Sequence, residues 1–205
     1  NKLKYFKAAQ TTILGEARAM AVEKSNGEYL AFLDCDDYWL PEKLKFQMEI
    51  FNNQPNIALV YGRCELLYEG SGIKKIFPKQ KKLKSGFLFQ DLVKENFIPF
   101  PSVLIDKEKF LDCGGFPKRF KCATDYWVLL HLARDYEFKA IQSVCCGYRI
   151  HQNNLSHTLD ISVPVTAVAL GAKVIEKHFI LDKNIGGPDA AFSLDKVQFK
   201  DMVDA

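Results

Sequence analysis

The spacing of apolar positions changes several times along the chain, and each change marks an element. Leu14 to Lys24 holds the helix formers Ala17, Ala19, Met20 and Ala21, and Asn26-Gly27 supplies the stop. The apolar stretch Tyr29-Leu30-Ala31-Phe32-Leu33 reads as a buried strand, parallel to its neighbours as in an open α/β sheet. Pro41 to Asn52 predicts a helix, with Leu44, Met48 and Phe51 on one apolar face at spacings of four and three. Ile57 to Tyr61, Cys64 to Tyr68 and Ser102 to Ile105 read as strands. Asp125 to Ala133 predicts a helix carrying Trp127, Leu129 and Leu130, and Ala140 to Ile150 a strand that runs into the polar stretch His151 to His157. After Ser156 the character shifts. Pro164 to Ala172 is small and aliphatic like a tightly packed helix, Lys173 to Leu181 has a strand pattern, Gly186-Gly187-Pro188 is a turn and Val197 to Val203 a short helix. Strands alternating with helices give an α/β fold.

Composition narrows the classes. A chain of 205 residues makes one large domain or two small ones, and 48% hydrophobic content is enough for a core. A net charge of +3 gives no case for nucleic acid. No apolar run approaches the roughly 18 residues of a membrane span, and nothing resembles a signal peptide. The chain opens on Asn1 rather than Met, which reads as a piece of a longer protein. The cysteines Cys35, Cys64, Cys113, Cys122, Cys145 and Cys146 include no C-x-x-C pair, which predicts reduced thiols in a cytoplasmic protein. Between Glu69 and Asp91 there is no acid, while Lys74, Lys75, Lys79, Lys81, Lys82 and Lys84 fall in the gap. This segment reads either as a solvated hairpin or loop, or as a contact for an anionic acceptor or the inner face of a membrane.

The most informative chemistry follows the Tyr29–Leu33 stretch: Asp34-Cys35-Asp36-Asp37. Clustered carboxylates repel one another and persist where a hard divalent cation neutralises them. Two acids separated by one residue directly off a buried strand predict a metal-bound phosphate or diphosphate. Asp37 is either a further ligand or the cap of the helix that begins near Pro41, and the cap is preferred.

From Gly15 to about Ser156 the chain resembles family 2 glycosyltransferases of the GT-A type. The resemblance is carried by Gly15-Glu16-Ala17-Arg18, by the run from Asn26 through Asp37, and by Trp39-Leu40-Pro41-Glu42-Lys43-Leu44. Pro101-Ser102-Val103-Leu104-Ile105, Gly114-Gly115-Phe116, Thr124-Asp125-Tyr126-Trp127 and Tyr148-Arg149-Ile150-His151 continue it. It implies a partial GT-A, Rossmann-like sheet with helices, and a sugar moving with inversion from a nucleotide-diphosphate sugar to a glycan or lipid-linked acceptor in cell-surface polysaccharide synthesis. Asp34 and Asp36 then match the D-x-D pair that holds Mg²⁺ or Mn²⁺ against the diphosphate. Asp125 matches the catalytic base, at a helix start where exposed amides favour negative charge. Arg18 then either meets a phosphate or is a surface helix arginine, and His151 either approaches the diphosphate or the metal or is structural. Thr124 departs from the family's usual Glu. The family's first half would precede Asn1, which implies a nucleotide pocket with one wall and weak or absent activity.

From His157 to Ala205 the chain resembles a second family, the sialic acid synthases, close to the pseudaminic acid branch. His157-Thr158-Leu159, the run from Val168 to Asp182, Gly186-Gly187-Pro188-Asp189 and Phe192-Ser193-Leu194 carry it. These enzymes are TIM barrels that condense phosphoenolpyruvate with an N-acyl amino sugar. The resemblance implies that His157 and His178 are metal ligands, and that the segment is a helix-strand-helix fragment, about one and a half of eight βα units. Its substrates would be met only if another chain completed the barrel. The expected organisation is therefore residues 1–156 from a glycosyltransferase and 157–205 from a synthase, joined near Ser156. A truncated transferase, a nonulosonic acid synthase and a non-catalytic binding remnant of a gene fusion are the three functional readings.

Overall fold

A computed structural model describes residues 4–8, 10–120, 123–150, 168, 179–182 and 193–204. These divide into two compact units. One holds residues 26–115 with 125–150; the other holds the described residues up to 25, those of 116–124 and those beyond 158.

The first unit is built on a mixed sheet of six strands, β1 (Tyr29–Leu30), β2 (Tyr38–Trp39), β3 (Leu59–Tyr68), β4 (Lys74–Phe77), β5 (Leu104–Asp106) and β6 (Phe138–Ile150). Their order is β1-β5-β3-β6-β2, with β4 also on β3. Only β3 and β6 are parallel, in register from Leu59↔Phe138 to Tyr68↔Ile150. Because β6 takes one whole edge of β3, β5 and β4 divide the other: β5 at Leu59 and Val60, β4 at Cys64 to Leu67. Ala58, Leu59, Val60 and Tyr61 are fully buried in succession, the signature of a strand covered on both faces. The two strands expected at 57–61 and 64–68 are thus one. Gly62-Arg63 is a bulge within it, where the register against β6 slips, rather than a break.

Helix α1 (Leu14–Lys24) matches its expected bounds; α2 (Lys43–Asn53) starts later than Pro41. Two short helices, α3 (Phe89–Lys94) and α4 (Lys107–Asp112), were not expected, because six residues are too few to display a period. Asp106 caps α4 by accepting from the Lys109 N–H at 2.9 Å. α5 (Thr124–Asp135) buries Val128, Leu129, Leu130, Leu132 and Ala133.

The buried face of α2 is not the apolar one expected. Leu44 is exposed and Met48 half-buried, while Lys43, Gln47 and Phe51 point inward at a spacing of four. This polar stripe is tolerated because it is satisfied. The Lys43 ammonium donates to Gln47 Oε1 at 2.8 Å and to the Val103 carbonyl at 2.9 Å, and lies 4.6 Å from the Trp39 ring centroid. Gln47 donates to the carbonyls of Val60 and Ser102. Phe51 then joins Ile57, Val60 and Leu104 in the core.

In the second unit, α1 sits on the loop at Pro117–Phe120. The Gly15 N–H donates to the Phe120 carbonyl at 3.0 Å, and a Cβ on Gly15 would lie 2.2 Å from the Pro117 oxygen, so only glycine permits this approach. Near the C-terminus, Phe179 and Leu194 form a parallel bridge, and α6 (Lys196–Asp204) follows. Asp195 accepts from the Val197 and Gln198 amides while Gln198 Oε1 accepts from the Asp195 amide, a reciprocal cap. All of the expected helix at Pro164–Ala172 except Val168, the turn at Gly186 and most of the strand at Lys173–Leu181 fall outside the described residues.

Burial pulls the Lys43 ammonium down to about 8 from its ordinary 10.5. The folded chain therefore sheds this proton before the unfolded chain does, and stability from Lys43 grows as pH rises from about 8 to above 10. We expect the unfolding free energy of the wild type, minus that of Lys43→Met, to grow by up to about 3 kcal/mol across that window. A difference that stays flat in chemical denaturation would show that Lys43 holds its proton equally well in the folded and unfolded chains, and so that burial does not lower its pKa.

Candidate functional site

The acidic cluster lies on the loop between β1 and β2. Only Tyr29 and Leu30 find ladder partners, on Ile105 and Asp106 of β5, and the pairing is antiparallel. Both points correct the expected five-residue parallel strand. β5 is only three residues long, and past Leu30 the chain leaves the sheet and turns, the Asp37 N–H donating to the Asp34 carbonyl at 3.1 Å. Short acidic side chains favour such turns.

Both ends of the loop are pinned. Before it, the Phe32 ring stacks on Phe100 at 5.1 Å between centroids. After it, Tyr38 and Trp39 pair with Gly147 and Cys146 of β6, and the Leu40 N–H donates to the Cys145 carbonyl. Trp39 Nε1 donates to the Pro101 carbonyl at 2.9 Å. A Cβ on Gly147 would lie 2.0 Å from Tyr38 Cζ, so the Tyr38 ring occupies the space a side chain would need. The Arg149 guanidinium lies 5.7 Å from that ring. The Tyr38 hydroxyl donates to Glu65 at 3.0 Å, and Glu65 is also bridged by Lys74 at 2.9 Å.

Between these anchors the carboxylates differ sharply. Asp34 is exposed, Asp36 half-buried, and Asp37 only 9% exposed. Asp37 is not the expected helix cap: Glu42 occupies that position, without a side-chain bond, and α2 begins at Lys43. Instead Asp37 Oδ1 accepts from the Arg149 N–H at 3.1 Å, and its Oδ2 is buried with no hydrogen-bond partner. Burial pushes the Asp37 carboxyl up to about 7. The Arg149 amide pulls the other way, and the charges of Asp36 and Asp34 push it further up. An orphaned buried oxygen beside two more acids is an excess of negative charge, and a divalent cation would offset it. Among the described residues no group of three or more His, Cys, Asp or Glu is arranged to hold a metal ion. A cation such as Mg²⁺ would not require such a group, because it can take one or two carboxylates and draw its other oxygens from water and phosphate.

Asp125 stands half-buried in the first turn of α5, in the same compact unit as Asp34 and Asp36. Arg18 belongs to the other unit. Its Nη1 donates to the hydroxyl of fully buried Thr124 at 2.9 Å, one residue before Asp125, and its guanidinium lies 5.8 Å from the Phe116 ring. Thr124, which departs from the expected Glu, is thus the anchor of Arg18. His151, His157 and His178 fall outside the described residues. The sequence pattern includes Arg149 without giving it a role, and it passes over Tyr38. The alternation of β6 and the small residue at 147 were the available signals.

The comparisons with known proteins divide along the chain. The family model described as glycosyl transferase family 2 matches residues 1–114, and that of the NeuB family matches residues 120–205. The Escherichia coli UDP-Glc:alpha-D-GlcNAc-diphosphoundecaprenol beta-1,3-glucosyltransferase WfgD is 30% identical over 142 residues, 68% of this chain and 53% of its own length. A match that long in a 205-residue chain necessarily spans Asp125. A Campylobacter jejuni pseudaminic acid synthase is 44% identical over 110 residues, 50% of this chain and 31% of its own. Staphylococcus aureus TarS 1-349, solved in complex with UDP-GlcNAc, superposes with a TM-score of 0.57 at 17% identity, covering 80% of this chain and 49% of that one. At that identity the likeness shows the fold, a GT-A type sheet. The chain spans between a quarter and about half of the curated relatives it matches. With Asp34 and Asp36 inside the first matched span and synthase-like residues in the second, the chain belongs to glycosyl transferase family 2 and continues into a segment of the NeuB family.

Proposed function

We propose that this chain is a metal-dependent glycosyltransferase of cell-surface glycan synthesis. It takes a sugar from a nucleotide-diphosphate donor and passes it, with inversion, to a glycan or lipid-linked acceptor. The observation that carries the reading is the pinned Asp34–Asp37 loop, with its exposed and half-buried carboxylates and the unsatisfied Oδ2 of Asp37 behind them. Asp34 and Asp36 hold Mg²⁺ or Mn²⁺, which neutralises the departing diphosphate. Asp125 takes the proton of the attacking hydroxyl. By the family resemblance alone, Arg18 and His151 are further candidates to meet a phosphate. The donor carried by the TarS structure and the lipid-linked glycan named for WfgD support the substrate classes.

The likeness to pseudaminic acid synthase favours a second reading for the C-terminal segment. His157 and His178 hold a divalent metal there once another chain completes the barrel, and phosphate is then released from phosphoenolpyruvate in the presence of an N-acyl amino sugar. No phosphate release when the chain is mixed with a synthase piece that lacks this last segment and is inactive alone removes that reading.

Two substitutions separate the roles in the transferase. In calorimetric titrations of uridine diphosphate with Mn²⁺, Asp36→Ala should weaken binding by at least about ten-fold, as expected on removing one of two carboxylate ligands. Asp125→Asn should leave that affinity within about two-fold but lower sugar transfer about 100-fold or more. Unchanged nucleotide binding in Asp36→Ala, or unchanged turnover in Asp125→Asn, overturns the corresponding assignment.

A further inference from the structure

The proposed transfer chemistry uses no residue of the basic segment between Glu69 and Asp91, and the fold gives that segment a definite form. β4 lies on the outer edge of β3, yet Leu83, Ser85 and Gly86 bond to Gln142, Ala140 and Phe138 of β6. Residues 78–82 therefore cross the face of the sheet. They do so over Arg63, in the β3 bulge. Its guanidinium donates to the Gln142 carbonyl at 2.9 Å, to Pro78 at 2.6 Å, to Gln80 at 2.8 Å and to Lys81 at 3.2 Å. One arginine spends its donors on backbone carbonyls, and the crossing is fixed in place.

On this platform all six lysines are exposed. Lys74 pairs with Glu65, Lys84 with Asp91, and Lys75 lies 5.0 Å from the Tyr68 ring. Among the described residues, Lys79, Lys81 and Lys82 pair with no acid. In the same stretch of chain Ile73, Ile76 and Phe87 are 52%, 40% and 66% exposed. Concentrating like charge on a rigid backbone costs repulsion, and leaving three large apolar side chains in water forgoes their burial. One partner relieves both.

We propose that this hairpin and crossing dock the chain on an anionic lipid bilayer. Lysines are compact point charges spread along the crossing, not forked donors converging on a single phosphate, which suits a diffuse surface charge. The isoleucines and Phe87 enter the headgroup boundary, an environment a nucleic-acid backbone does not offer to aliphatic side chains. Lys74 reaches toward the anchor of the carboxylate loop through Glu65 and Tyr38, whereas Lys79, Lys81 and Lys82 are not among the groups that pin that loop, so changing these three tests lipid binding apart from donor turnover.

The test is sedimentation of the full chain with vesicles of phosphatidylcholine alone or with about 30 mol% phosphatidylglycerol, at about 50 mM and then about 500 mM salt. Binding is expected only to the anionic vesicles, and it should be lost at high salt. Lys79→Glu with Lys81→Glu and Lys82→Glu should weaken it about ten-fold or more, with an unchanged thermal melt. Reversing Lys45, Lys94 and Lys200 instead matches the net charge and should leave most of the binding. Equal binding to neutral vesicles, or equal loss in the control, overturns the proposal. Tighter binding to duplex DNA through the same three lysines reassigns the surface to nucleic acid.

Discussion

The parallel pairing of β3 with β6 is the constraint from which the larger unit is built. It is the longest ladder in the sheet and the only parallel one. The far end of the acidic loop and the basic surface both take their positions from these two strands. Arg149 on β6 offers its amide to Asp37, Cys146 and Gly147 receive β2, and Glu65 on β3 receives Tyr38 and Lys74. The bulge at Arg63 turns the same ladder into a support for the basic crossing. A slip of one residue would reverse the faces of all these groups together, so the acidic loop and the basic surface depend on a single register.

Two buried charged side chains show how differently this fold treats ionisable groups. Lys43 has an amide oxygen and a carbonyl as acceptors and an aromatic face nearby, so its burial is compensated. Asp37 has one donor for two oxygens. The first arrangement fastens α2 to the Val103 segment. The second leaves a charge imbalance where the loop opens, and such imbalances persist mainly where something else is bound.

Much of this was legible in the sequence, for identifiable reasons. Long, regularly patterned elements such as α1, α5 and β6 emerged close to their true bounds because their periods are sustained. The order of the acids and the two family resemblances located the loop and the chain's composite character. The misreadings have physical causes. Lys43 and Gln47 look like solvent-facing residues, and only distant carbonyls at Val60, Ser102 and Val103 reveal that they face inward. Asp37 looks like a cap because capping is local, whereas its partner Arg149 lies on the far side of the sequence. Gly62 looks like a strand end because a bulge is defined by the neighbouring strand.

The fit between Tyr38 and Gly147 has a consequence for how such a protein can diverge. The ring fills the volume that any Cβ at 147 would occupy. Neither position can grow unless the other shrinks. Two residues far apart in the gene behave as one inherited character, and lineages that alter either must pass through a paired exchange or lose the seat on which the acidic loop rests.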